Sequence, residues 1–143
     1  MRLVIDSGIA IKWFITEPDS SIALEILNHY QTGAIDFLAP EFIYAEFGNI
    51  VWKKQRSQGL PTDEAQDAIV EFQRLRLFLS STAHLLNSAY QIAVQHQRTV
   101  YDSLYIALSL QENCQFVTAD QKLVNAVGSA FPNVVTLADW TYS

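Results

Sequence analysis

Short apolar runs alternate along the chain with longer stretches whose apolar positions recur every three to four residues, the pattern of strands alternating with amphipathic helices. Leu3-Val4-Ile5 is a short buried strand ending at Asp6, and Ser7-Gly8 reads as the turn after it. From Ser20 to Tyr30, Ile22, Ile26, Leu27 and Tyr30 share one helical face, with Gly33 as the stop. Ile35 to Leu38 predicts a second strand closed by Ala39-Pro40. The next helix is predicted over 41–58, with Pro40 suiting its first turn and Gly59 its left-handed exit. Thr62 opens another helix, with Asp63 and Glu64 where negative charge favours the dipole. Ala65, Ala68, Ile69, Phe72, Leu75 and Leu79 keep the period of its buried face. Thr82 to Leu86 is the expected third strand, and Ser88 with Gln91 spells a capping box for a helix reaching Gln97. A more apolar helix over 102–112, a strand over 115–118, a short helix over 121–127 and a strand over 134–137 complete the reading. This alternation predicts an α/β fold built on a parallel sheet.

At 143 residues the chain has the length of one domain, 1–143, and half of it is apolar against 17% charged, which excludes a disordered or fibrous class. No apolar run is long enough to span a membrane. The stretch MRLVIDSG meets an acid too early for a secretory leader, and the single Cys114 excludes an internal disulfide. Both fit a cytoplasmic protein. The net charge of −6 argues against a nucleic-acid binder unless some of the acids hold metal.

Four acids stand at or beyond strand ends. Asp6 follows the first strand, Asp120 lies two residues past the fourth, Glu46 lies on the helix entered from the second, and Asp102 begins the helix feeding the fourth. Ligands of open α/β sheets bind beyond the carboxyl ends of the strands, so these carboxylates can meet at one rim. Like charges brought together disfavour ionisation, and a hard cation such as Mg²⁺ or Mn²⁺ resolves the conflict. Each acid also has a plainer reading. Asp6 can satisfy the Ser7-Gly8 turn, Asp102 and Asp120 can cap helices (Thr118 with Gln121 also spells a capping box), and Glu46 can be solvated. The apolar stretch Phe42-Ile43-Tyr44-Ala45 before Glu46 speaks against the last of these.

Val4-Ile5-Asp6, Ala39-Pro40 through Glu46 and Asn49, Tyr101-Asp102-Ser103-Leu104-Tyr105-Ile106-Ala107-Leu108, and Val117-Thr118-Ala119-Asp120 with Leu123 together resemble the signature blocks of PIN-domain ribonucleases. The likeness is to the VapC-type toxins of toxin–antitoxin pairs, and it runs in order along essentially the whole chain. The resemblance implies a three-layer α/β/α fold with a five-stranded parallel sheet of order 3-2-1-4-5. It also implies divalent-metal-dependent cleavage of RNA, a homodimer and a neutralising antitoxin. Its acidic site would be Asp6, Glu46, Asp102 and Asp120, with Thr118 and Asn49 in support. The family often carries a hydroxyl residue two positions after the first acid, where this chain has Gly8, with Ser7 beside the acid instead.

Phosphodiester hydrolysis needs an activated water and relief of charge on the phosphoryl oxygens, both of which a metal ion supplies. An RNA-binding rim is expected from Lys53, Lys54 and Arg56, since Lys53 lies two turns after Glu46 on the same helical face. The plainer reading is a solvated helix end where cations favour the dipole. Lys12 is a lesser rim residue. His29, His84 and His96 share no metal-ligand spacing, and Cys114 lacks a partner motif. Trp13, Trp52 and Trp140 are core or interface mass, with base stacking open to one or two of them. Gly48 inside a helix suggests close packing of another element. The rival function is a PIN-like module that binds RNA or protein without cutting. A receiver domain lacks its acid pair and lysine here, and a haloacid-dehalogenase-type phosphatase would need an Asp at position 8.

Overall fold

A computed structural model describes residues 1–143. Its order is β1 (Arg2–Ile5), α1 (Ser7–Phe14), α2 (Ser20–Gln31), β2 (Asp36–Pro40), α3 (Ile43–Ser57), α4 (Thr62–Arg74), β3 (Phe78–Ser80), a 3₁₀ turn (Ala83–Leu85), α5 (Leu86–His96), α6 (Val100–Gln111), β4 (Gln115–Thr118), α7 (Gln121–Val127) and β5 (Val134–Thr136). All five strands are parallel, in the order β3-β2-β1-β4-β5, as the resemblance implies.

Alternation along each strand divides the core into two layers. Leu3, Ile5, Phe37, Ala39 and Val117 face α1 to α4, packing on Ile9, Ile26, Phe47 and Phe72. Val4, Leu38, Phe116 and Val134 face the other way, onto Leu85, Ala89, Ile106, Leu123 and Val127. The sheet is therefore covered on both faces, which parallel strands require because their crossover helices lie there.

Five local expectations are corrected. The Ser7-Gly8 turn is the first turn of α1, which Asp6 caps with its own carboxylate. Pro40 ends β2, and α3 begins three residues later at Ile43. The helix from Thr62 stops at Arg74, because Leu75 turns extended (ψ 145) and the chain continues into β3 at Phe78. That displaces the third strand from 82–86 to 78–80, leaving 83–85 as a 3₁₀ turn. This turn runs straight into α5 in helical geometry, so Ser88 and Gln91 lie inside the helix and cap nothing. The left-handed glycines at Gly33 (φ 84) and Gly59 (φ 70) are where the sequence placed them.

β1 is flanked by β2 on one side and β4 on the other; the connection from β1 leads to β2, while the one from β3 crosses back to β4 on the opposite side. This is the switch point where α/β sheets open a crevice.

Candidate active site

Asp6 follows β1 directly and accepts from Ile9 N–H at Oδ1 (3.0 Å) and from the Thr118 hydroxyl at Oδ2 (2.6 Å). The first bond holds the start of α1, and the second ties β1 to the end of β4. Thr118, fully buried, also accepts from the backbone N–H of Asp120 (3.1 Å). One hydroxyl thus fixes the first acid and the approach to the fourth. Asp120 in turn caps α7, its Oδ1 accepting from Leu123 N–H (3.1 Å). The Asp120 cap foreseen in the sequence is real, formed by its own carboxylate.

Glu46 sits in the first turn of α3. Its Oε1 accepts from the Tyr105 hydroxyl at 2.5 Å and from the Ser7 hydroxyl at 3.4 Å. Asp102 lies in the first turn of α6, where the Thr99 hydroxyl accepts from the Asp102 N–H (3.0 Å). The cap of α6 is therefore Thr99, and the Asp102 carboxylate is left free of that duty.

Electrostatics link the acids pairwise: Asp6 feels Glu46 and Asp102, Glu46 feels Asp102, and Asp102 feels Asp120. Burial pushes the Asp6 carboxyl up to about 6, and the charges of Glu46 and Asp102 add to that rise against the lowering bonds from Thr118 and Ile9. Burial also raises Glu46, with Asp102 contributing, while Tyr105 and Ser7 hold it down. Asp102 is raised by burial and then by Asp120, with Thr99 and the nearby Arg98 guanidinium opposing. Burial pushes the Tyr105 hydroxyl far up, and Glu46 adds to this, so Tyr105 is a permanent donor.

The donor chemistry fits a hard cation. The acids offer only oxygen ligands and repel one another without one. No His, Cys, Asp or Glu trio closes into a ready cage here, but Mg²⁺ is commonly held by one or two carboxylates while keeping several waters. Gly8 is part of the floor: a Cβ there would stand 3.4 Å from Asp6 Oδ1 and 3.9 Å from Ala119 Cβ. A small side chain fits, in ordinary van der Waals contact.

The expected basic rim divides. Lys12 and Lys54 both pair with Glu17, and Lys12 also donates to the Pro18 carbonyl (2.7 Å). Lys53 is exposed without an ion-pair partner, and Arg56 lies over the Trp52 ring with its Cζ 5.3 Å from the centroid. Asn49 is exposed one turn beyond Glu46 on α3 and stands outside the hydrogen-bond network of the acids. Tyr105, Thr99, Arg98 and Glu17 are the residues that sequence reasoning missed. Thr99-x-x-Asp102 was a readable helix-start signal, and Tyr105 lies three residues from Asp102 on the same face of α6. Nothing local announces Arg98 or Glu17.

The PIN-domain family model matches residues 3–128. Ribonuclease VapC3 of Pyrobaculum aerophilum is 30% identical over 139 residues, covering 95% of this chain and 99% of that protein. Two solved structures share the fold. Mycobacterium tuberculosis VapC20, described as a sarcin–ricin-loop-cleaving toxin, aligns with TM-score 0.62 at 14% identity, covering 87% of this chain and 94% of its own. VapBC2 of Rickettsia felis, solved with a fragment of its promoter DNA, aligns with TM-score 0.62 at 16% identity, covering 95% and 97%. With the topology and the matched length together, the chain belongs to the PIN-domain family and, within it, to the VapC group.

Proposed function

We propose that the chain is a divalent-metal-dependent endoribonuclease, the toxin of a toxin–antitoxin pair, whose site is Asp6, Glu46, Asp102 and Asp120. What supports this reading is the charge coupling that runs from Asp6 through Glu46 and Asp102 to Asp120 beyond the strand ends, with burial raising the first three and Arg98 as the opposing cation. Such a set costs stability when empty and is resolved by Mg²⁺ or Mn²⁺. When bound, the ion would lower the pKa of water and offset charge on the phosphoryl and leaving oxygens. The chain's own part is positional. Thr118 and Ile9 fix Asp6, Tyr105 and Ser7 fix Glu46, the Thr99 cap fixes the turn bearing Asp102, and the α7 cap fixes Asp120. Arg98 is suited to meet a phosphate at the same rim.

The related toxin–antitoxin structure supports an antitoxin partner. A homodimer is supported by α5, which carries no Asp, Glu, Lys or Arg yet exposes Leu86, Tyr90 and Val94 along one stripe. No helix is long and apolar enough to cross a membrane, and the free Cys114 fits work in the cytoplasm.

The test is cleavage of structured RNA by the purified chain in Mg²⁺ or Mn²⁺, with RNA ends sequenced. Asp6→Asn and Asp102→Asn should abolish cutting without unfolding the chain. RNA binding with no cleavage in any metal would favour the binding-module alternative.

A further inference from the structure

The molecule has three tryptophans, and two of them, Trp13 and Trp140, are buried. Trp52 is 52% exposed on the outer face of α3. An indole left in water forgoes the burial that usually holds it. Its one close companion is a cation, the Arg56 guanidinium over its ring. Lys53 stands next to it, exposed and free of any carboxylate. The neighbouring cations on this side, Lys12 and Lys54, share the single carboxylate of Glu17 and keep a net positive charge, so with Lys53 and Arg56 this side is locally positive in a chain of net −6.

Between Glu46 and Trp52 the helix surface is low and open. Ala45 and Asn49 are exposed, and a Cβ on Gly48 would meet nothing within 4 Å. Six residues of helix put Trp52 about 9 Å along the axis from Glu46 and about 120° around it. An indole with Arg56 over one face and Lys53 beside it is the pairing that holds unpaired nucleic acid: a base stacks on the aromatic and phosphates meet the cations.

We propose that Trp52, with Arg56 and Lys53, is a stacking platform for an unpaired base of the RNA, holding the strand beside the acid rim. The proposal rests on the ribonuclease reading for the identity of the ligand. A second copy docking through this same patch is disfavoured, because it would gather two copies of Lys53 and Arg56, all of one sign, in a single interface.

Trp52 is also the one exposed indole, so stacking on it can be read directly. The probe is a labelled oligouridylate of about ten nucleotides, titrated by fluorescence quenching and by anisotropy in EDTA. The parent should be quenched and should bind. Trp52→Ala should lose roughly 5-fold to 150-fold in affinity, matching about 1–3 kcal/mol per stacked base, and Trp52→Phe should recover most of it. Circular dichroism should show both variants folded, since the position is exposed. The same sequence as a duplex should bind parent and Trp52→Ala alike.

An unchanged affinity in Trp52→Ala, or no binding by the parent, overturns the platform. Loss of a dimer in Trp52→Ala by light scattering, with oligonucleotide affinity unchanged, overturns it in favour of a protein contact. A parent that binds through Trp52 yet cuts no RNA in Mg²⁺ or Mn²⁺ overturns the nuclease reading and leaves the platform standing.

Discussion

The Tyr105 hydroxyl donates a 2.5 Å hydrogen bond to Glu46 Oε1, joining α6 to α3 at the acid rim. Because burial holds the Tyr105 proton in place, the bond favours the ionised form of Glu46 and opposes the rise that burial causes. Tyr105→Phe should cost about 1 kcal/mol of stability and raise the Glu46 pKa further. The acid limb of the cleavage profile should then move to higher pH, as measured by pH–rate curves of parent and variant.

Asp6 makes metal-free stability depend on pH. Its carboxyl titrates near 6 in the folded chain against an ordinary 3.8. Between these values the folded state keeps a proton that the unfolded state has released, so stability falls as pH rises through the window. The penalty is absent below about pH 4, complete above about pH 6, and on the order of 3 kcal/mol. Asp6→Asn lacks it. Urea unfolding in EDTA should show the variant gaining on the parent as pH goes from 4 to 7.

Asp120→Asn separates a cap from a ligand. Asn caps a helix about as well as Asp, so the bond to Leu123 N–H survives while the charge that raises Asp102 disappears. In EDTA the variant should melt at or slightly above the parent. In excess Mn²⁺ the parent should gain about 2.7 kcal/mol at 100 times the dissociation constant, and the variant less. Equal shifts with metal would leave Asp120 with capping alone.

Lys53 and Lys54 are neighbours with opposite prospects, because Glu17 engages Lys54 and leaves Lys53 free. Lys53→Gln should lower the salt slope of RNA binding by about 1. Lys54→Gln should change the slope little and lower the melting temperature instead. Binding isotherms across a salt series distinguish the two.

Gly48 tests whether α3 carries a partner seat. Within one chain its Cβ position is open, so the close packing expected from its place in a helix is not met. Gly48→Ala should stabilise the isolated chain by about 0.5–1 kcal/mol through helix propensity. Loss of dimer or antitoxin binding in that variant would locate the packing partner in another chain.

Much of this was legible in the sequence, because burial and strand ends leave periodic traces. The alternation of Leu3, Val4 and Ile5, the left-handed glycines Gly33 and Gly59, and the caps at Asp6 and Asp120 beyond β1 and β4 are local signals, and the structure keeps them. α1 was hidden because Ser7-Gly8 after an acid is also turn chemistry; only packing of Ile9, Ala10 and Trp13 decides for helix. β3 was hidden because Leu75 and Leu79 extend the period of α4, although Phe78 and Leu79 are exposed at a sheet edge. The fate of Lys12 and Lys54 depends on Glu17 in the loop between α1 and α2, and Arg98 reaches Asp102 through the turn between α5 and α6. Those are tertiary relations, with no spacing rule to announce them.

The four acids are spread from position 6 to position 120, and Asp6 is held by a hydroxyl from position 118. The central strand β1 is the first made, yet its β4 edge stays unfilled until residues 115–118 arrive. During synthesis, then, no leading portion of the chain is a weaker version of the whole. A nascent chain lacking β4 has neither the fourth acid nor the bond that orients the first, so the crevice is assembled only once residues 115–120 have been made.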